Sequence, residues 1–220
     1  MTLLPLGPQT PPSTCEIPRT HGLFGQNVIL EALSTSHAVD LWECAQGADE
    51  SWTYLGYGPF SSFSEFSQHI ERLADQLLQP FFAVIPINGK ASGWMSFCDI
   101  EPQNSALEIG SIWFSNELQR TRASTEAIYL LLNYAFSEGF NRIAWRCNAL
   151  NTPSRRTAER LGFVYEGTWR KAQIIKGRWR DTSWYSQLFE DWPENKAVIL
   201  RWLSDDNFDE EGQQLTRLRE

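Results

Sequence analysis

A mixed α/β fold, one sheet with helices on its faces, is predicted by three features of the chain. Residues 107–136 read as a β-branched and aromatic run (107–114), a short arginine-bearing polar crossing (115–124) and an apolar helical pattern (125–136). In the last part Ile128, Leu131, Leu132, Ala135 and Phe136 recur at helical spacing on one face. Two further runs, 81–87 and 91–100, flank Asn88-Gly89, a pair that tolerates the positive φ of a tight hairpin turn. The alternation Ile143, Trp145, Cys147 after the central helix marks one more strand. Its return through a helix implies parallel pairing with the strand before that helix.

Taken in order, residues 1–20 carry Pro5, Pro8, Pro11, Pro12 and Pro18 without periodicity, which predicts a flexible arm. A first strand is expected over 27–33 and a helix over about 37–44. Residues 51–62 mix Trp52, Tyr54, Tyr57 and Phe60 with glycine, a loop packed by its own rings or a wall of an acceptor cleft. Ser64 is the expected cap of a helix reaching residue 78, with Phe66, Ile70, Leu73 and Leu77 inward. The hairpin follows, and residues 102–105 turn the chain into the central strand, completing an antiparallel meander. Thr152 with Pro153 behind it predicts the start of a short helix that Gly162 ends. Two late strands, 168–175 and 179–188, pair across Lys176-Gly177. Pro193 opens a last helix to Leu203, and an acidic coil closes the chain. No repeats and no second core are visible. The expected organisation is an arm (1–20), one domain (21–190) and a helical and acidic tail (191–220).

Composition narrows the function. A hydrophobic content of 42% with ten tryptophans is ample for a packed core in 220 residues. No apolar run reaches membrane-spanning length, so a soluble cytoplasmic protein without membrane partners is the default expectation. A formal charge of −8 argues against nucleic acid as a partner, because such affinity rests on neutralising phosphates. Cys15, Cys44, Cys98 and Cys147 form no CxxC pair, and His21, His37 and His69 show no ligand spacing, so no metal is expected. Cys147, in an apolar alternation, reads as a core thiol rather than a nucleophile.

A strand feeding a helix through a short basic loop makes an anion site, since the first helical N–H groups lack partners and the dipole adds positive charge there. Arg120 and Arg122 stand at that mouth, although two arginines before a helix are ordinarily just solvated charge. The stretch Gln119-Arg120-Thr121-Arg122-Ala123-Ser124, followed by Thr125-Glu126-Ala127, resembles the acyl-CoA pyrophosphate loop of the GNAT N-acetyltransferases, particularly the RimJ/RimL-like branch. Arg122 and Ser124 stand where that loop usually carries small residues. A second stretch, from Asn148 through Asn151, Thr152-Pro153-Ser154 and Leu161-Gly162-Phe163 to Glu166-Gly167, is similar to the same branch.

The resemblance implies a GNAT-like mixed sheet in which an antiparallel meander precedes a splayed parallel strand pair. The pantetheine of acetyl-CoA would enter the gap and hydrogen-bond the edge at Ile112, Trp113 and Phe114. Amides from Gln119, Arg120, Thr121, Arg122, Ala123 and Ser124, beside Thr125, would cradle the pyrophosphate. Asn151 would bind the pantetheine arm, and Ser154 would lie near the thioester sulfur as a candidate acid. The implied activity is acetyl transfer by direct attack in a ternary complex. The amine acceptor would be a small molecule or a protein N-terminus.

The chemistry can also be argued directly. An amine attacks a thioester only when neutral, at a cost near pH 7 of about 1.4 kcal/mol for pKa ~8 and roughly 4.6 kcal/mol for pKa ~10.4. Glu108, on the central strand with Gly110 and Ile112, is the candidate general base; an ordinary ion pair is its bland alternative. A strand N–H near Ile112 or Trp113 would stabilise the oxyanion. Arg170, Lys171, Arg178 and Arg180 could meet an acidic acceptor or a CoA phosphate, or simply solvate an outer face. The C-terminal helix suits packing on the body or on a second copy in a homodimer. A non-catalytic acyl-CoA-binding or protein-interaction module is the rival from another class.

Overall fold

The computed structural model describes residues 6–9 and 14–219. A single eight-stranded sheet runs in the order β1 (Leu23–Phe24), β2 (Val28–Ala32), β3 (Phe81–Pro86), β4 (Gly93–Glu101), β5 (Ala106–Phe114), β6 (Arg142–Asn148), β8 (Arg178–Leu188), β7 (Val164–Ile175). All neighbours are antiparallel except β5 and β6. That parallel pair joins through α3 (Arg122–Ser137), as a crossover connection requires. The other helices are α1 (Ala38–Ala45), α2 (Phe63–Ala74), α4 (Thr152–Arg160) and α5 (Trp192–Trp202).

Strand alternation sends successive side chains to opposite faces, and from β3 to β5 both faces are buried, whereas β7 is largely exposed. Phe82, Val84, Met95, Phe97, Leu107 and Ile143 join α3, α4 and α5 in the larger core. Phe81, Ala83, Trp94 and Trp113 join α1, α2 and Trp52 in a second cluster. The chain therefore has a buried cluster on each side of one sheet. Trp52 stacks on Trp113 of β5 with centroids 4.7 Å apart and planes at 9° and meets Tyr57 and Phe60 within its own loop, while Tyr54, Leu55 and Gly56 of the same loop line the main cleft.

The hairpin forms as expected, with Asn88 at φ +61. Elsewhere the local starts shift. Ser62, not Ser64, caps α2, and the helix stops at Ala74, leaving Leu77 89% exposed rather than inward. Asn151, not Thr152, caps α4 by accepting from the Ser154 amide at 3.2 Å. In α3 the cap is Thr121, which accepts from the Ser124 amide at 3.1 Å, so the helix begins three residues before the apolar pattern. Its second turn is fastened by buried Glu126, whose carboxylate accepts from the amides of Gln26 (2.8 Å) and Asn27 (2.6 Å) in the β1–β2 turn.

Of the proline-rich start, Pro5, Pro11 and Pro12 lie outside the described residues. Pro18 is buried, and the Arg19 amide donates to the Tyr134 hydroxyl at 3.1 Å. The acidic stretch after α5 is ordered rather than a loose coil. Asn207 Nδ2 donates to Trp202 O at 3.0 Å, Phe208 bridges Gln214, and Leu218 is buried in the larger core.

Candidate active site

β5 and β6 pair only from Ala106 to Glu108, against Arg142 to Ala144. Beyond that point β5 runs on to Phe114 beside β4 and β6 to Asn148 beside β8, without pairing with each other. The result is an open cleft of about 1970 Å³ lined by both strands, the 119–124 loop, the start of α4 and the C-terminal segment. A bulge at Ser111 (φ +49) lies within the splayed part of β5. Ile112, Trp113 and Phe114 line this gap, although the Phe114 carbonyl already accepts from Gln119 Nε2 at 2.9 Å.

At the loop end, Ser115 O accepts the Gln119 amide at 3.0 Å and Leu118 O the Thr121 amide at 3.4 Å. Ser124 and Thr125 amides are used by Thr121. Among the described residues this leaves the amides of Arg120, Arg122 and Ala123 without partners, three donors at a helix N-terminus facing the cleft. The left-handed residue of the loop is Arg120 (φ +63), exposed and without an ion pair among the described residues. Arg122 has ordinary helical backbone, and its side chain turns away from the expected phosphate. Its Nε donates to Leu203 O at 3.1 Å, its Nη2 meets Asp205 Oδ1 at 2.6 Å, and its guanidinium lies 4.5 Å over the Phe208 ring. Thr125 Oγ1 accepts from Arg160 Nη2 at 2.9 Å.

Glu108 lies where the two strands part, 5% exposed. Its carboxylate folds back over Gly110, where a Cβ would stand 2.6 Å from Glu108 Oε1, so the glycine makes the space the carboxylate occupies. Burial pushes its pKa up to about 7, opposed by the Arg146 guanidinium whose Nε pairs with it. Arg146 also pairs with Asp99, which sits at a second bulge (φ +42), and stands 4.9 Å over the Trp184 ring. A carboxylate poised near neutrality in a cleft is suited to accept a proton.

Across the gap, Ser154 Oγ accepts from Trp145 Nε1 at 3.0 Å, and its hydroxyl also hydrogen-bonds the Cys147 sulfur. Asn151 lines the cleft but spends its Oδ1 on the cap. Cys147 is buried, and burial pushes its thiol up, which disfavours a thiolate nucleophile. Two contacts tie the 51–62 loop to other segments: Lys176 Nζ donates to Trp52 O at 2.7 Å, and Tyr54 Oη to Leu150 O at 3.2 Å.

Sequence reasoning missed Arg146, Asp99 and the C-terminal wall. Arg146 was findable, as the polar position between Trp145 and Cys147 in an alternating strand. Asp99 depends on a bulge, and the wall on long-range packing, so neither leaves a local signal.

Residues 27–164 match the family described as the acetyltransferase (GNAT) domain. The structure is similar to a GCN5-related N-acetyltransferase from Brucella melitensis, with TM-score 0.91 and 36% identity, covering 94% of this chain and 96% of that one. It also resembles a probable acetyltransferase of the GNAT family from Chromobacterium violaceum, with TM-score 0.79, 33% identity and coverage of 87% and 100%. Among curated relatives, a putative ribosomal N-acetyltransferase of Bacillus subtilis is 33% identical over 50% of this chain. The ribosomal-protein-serine acetyltransferase of Escherichia coli is 30% identical over 44%. The matched stretch spans 60% and 55% of those two relatives' own lengths. With the family match spanning well over half of its length, the chain belongs to the GNAT acetyltransferases.

Proposed function

We propose that the chain moves an acetyl group from acetyl-CoA to a primary amine by direct attack within a ternary complex. The observation that carries this is Glu108, a buried carboxylate with pKa about 7 at the point where β5 and β6 part. The amine nitrogen bonds to the thioester carbon while Glu108 takes the amine's proton, directly or through one water. The carbon–sulfur bond then breaks, and the departing thiolate takes its proton through the Ser154 hydroxyl, which recovers one from water in the same step. Unpaired amides of Arg120, Arg122 and Ala123, with the Arg120 side chain, suit the pyrophosphate. The free edge of β5 suits the pantetheine amides.

The Escherichia coli relative is named for a ribosomal protein's serine, so a protein N-terminal α-amine is the first acceptor to test. Such an amine also costs about 3 kcal/mol less to deprotonate than a lysine. The test is free-thiol release from acetyl-CoA with a panel of peptide N-termini, lysine side chains and small amines. Acceptor-dependent release with a mass gain of one acetyl group supports the proposal. Tight CoA binding without turnover on any acceptor refutes it and leaves a binding module.

A further inference from the structure

The search outside the groups already used leads to β8. Three side chains on one face of that strand, Arg180, Thr182 and Trp184, line the cleft, and each has a buried polar atom without a partner among the described residues: Arg180 Nε, Thr182 Oγ1 and Trp184 Nε1. Residues two apart on a strand share a face, so these donors form a row rather than three accidents of packing. Buried donors left unmade are costly, and a run of three in one cleft wall points to a ligand that completes them.

The row continues the face that holds the reacting carboxylate. Trp184 pairs across the sheet with Arg146, and Thr182 with Asn148. Two guanidiniums serve this wall, but the neighbouring carboxylates are shared unevenly. Arg146 holds both Glu108 and Asp99. Arg180 is half-buried and, among the described residues, forms no ion pair. Arg180 and Glu108 line the same cleft. A guanidinium remains charged at any working pH, so its partial desolvation is recovered only when an anion arrives.

We infer that Arg180, Thr182 and Trp184 form an acceptor subsite that selects amines bearing a carboxylate near the reacting nitrogen. Arg180 binds the carboxylate oxygens, while Thr182 and Trp184 donate to the same group or to the intervening peptide carbonyl. A polyamine or aminoglycoside, which would bring further positive charge against Arg180, is selected against. This rests on the acetyl-transfer reading of the cleft and adds the determinant of acceptor choice.

Two matched peptide pairs, each differing by one charge, test it: Ala-Asp-amide against Ala-Asn-amide, and Ala-Ala against Ala-Ala-amide. The first pair offers a side-chain carboxylate and the second a terminal one, so the responding pair identifies the source. Wild-type protein is expected to favour the charged member of one pair by at least about tenfold in kcat/KM. Arg180→Ala should bring that ratio to within about twofold, and Arg180→Lys should restore part of it, with the Kd for CoA unchanged in both. Calorimetric binding of the same peptides to the CoA-loaded protein gives a readout that does not require turnover. Charge-selective binding lost in Arg180→Ala upholds the subsite even where no acetyl is transferred, a result that refutes only the enzymatic proposal. Equal affinity for both members of each pair, or a preference surviving Arg180→Ala, overturns it.

Discussion

Replacing Glu108 by Gln separates proton acceptance from every other role of the cleft, because the amide keeps the shape and loses the base. With a pKa of about 7, the carboxylate is about half ionised at pH 7 and about a tenth ionised at pH 6. An α-amine of pKa ~8 loses its neutral form tenfold per unit over the same range. For wild-type protein, log kcat/KM should therefore rise with slope ~2 below pH 7, slope ~1 from 7 to 8, and level above. Glu108→Gln should show slope ~1 up to pH 8, with no break near 7. Loss of a positioned base costs about 10²- to 10⁴-fold, which is roughly 2.7–5.5 kcal/mol of barrier. The loss should be greater with a lysine-type amine than with an α-amine. Stopped-time thiol release from pH 5.5 to 9.5, with CoA affinity by calorimetry as control, measures this. A variant with the wild-type break near pH 7, or with CoA affinity lost in proportion to rate, would refute the assignment.

Three further outcomes follow from particular contacts. Gly110→Ala places a Cβ 2.6 Å from Glu108 Oε1 and should cut turnover at least about tenfold while moving CoA affinity less than about twofold; wild-type turnover would mean the carboxylate relocates freely. Arg120→Ala should weaken CoA binding several-fold and flatten its salt dependence, whereas Arg122→Ala should instead speed proteolysis of residues 203–219, because its guanidinium holds Leu203 and Asp205; the reverse pattern would refute the division. His69, buried against Tyr57 and Phe60, has its pKa lowered to about 4, chiefly by burial. Its unfolded form binds a proton near pH 6.5, so stability present above 6.5 should fall as pH drops toward 4. Glu108, with its raised pKa, acts oppositely between pH 4.5 and 7, gaining stability as pH falls. The urea midpoint of His69→Gln relative to wild type isolates the histidine, and an equal acid loss in both proteins would exclude it.

Much of the site was legible because it is local. The strand–loop–helix from Glu108 to Phe136 reads from residue type and period, and Asn88-Gly89 reads from the φ its turn demands. The start of α3 did not read correctly, since Arg122-Ala123-Ser124 has no apolar period and only the Thr121 cap fixes it. Leu77 was misassigned for the complementary reason: it continues the α2 pattern after the chain has already left the helix at Ala74.

By itself, the sequence determined the meander, the parallel crossover and the residues offered to the cleft, all set by backbone preference and side-chain period over a few positions. Tertiary structure alone decided that Arg122 serves the C-terminal segment, that Arg146 takes both carboxylates, and that Arg180 is left without one among the described residues. Those assignments depend on which side chains separated by tens of residues come within ion-pair distance, and desolvation acts only once the chain has closed around them.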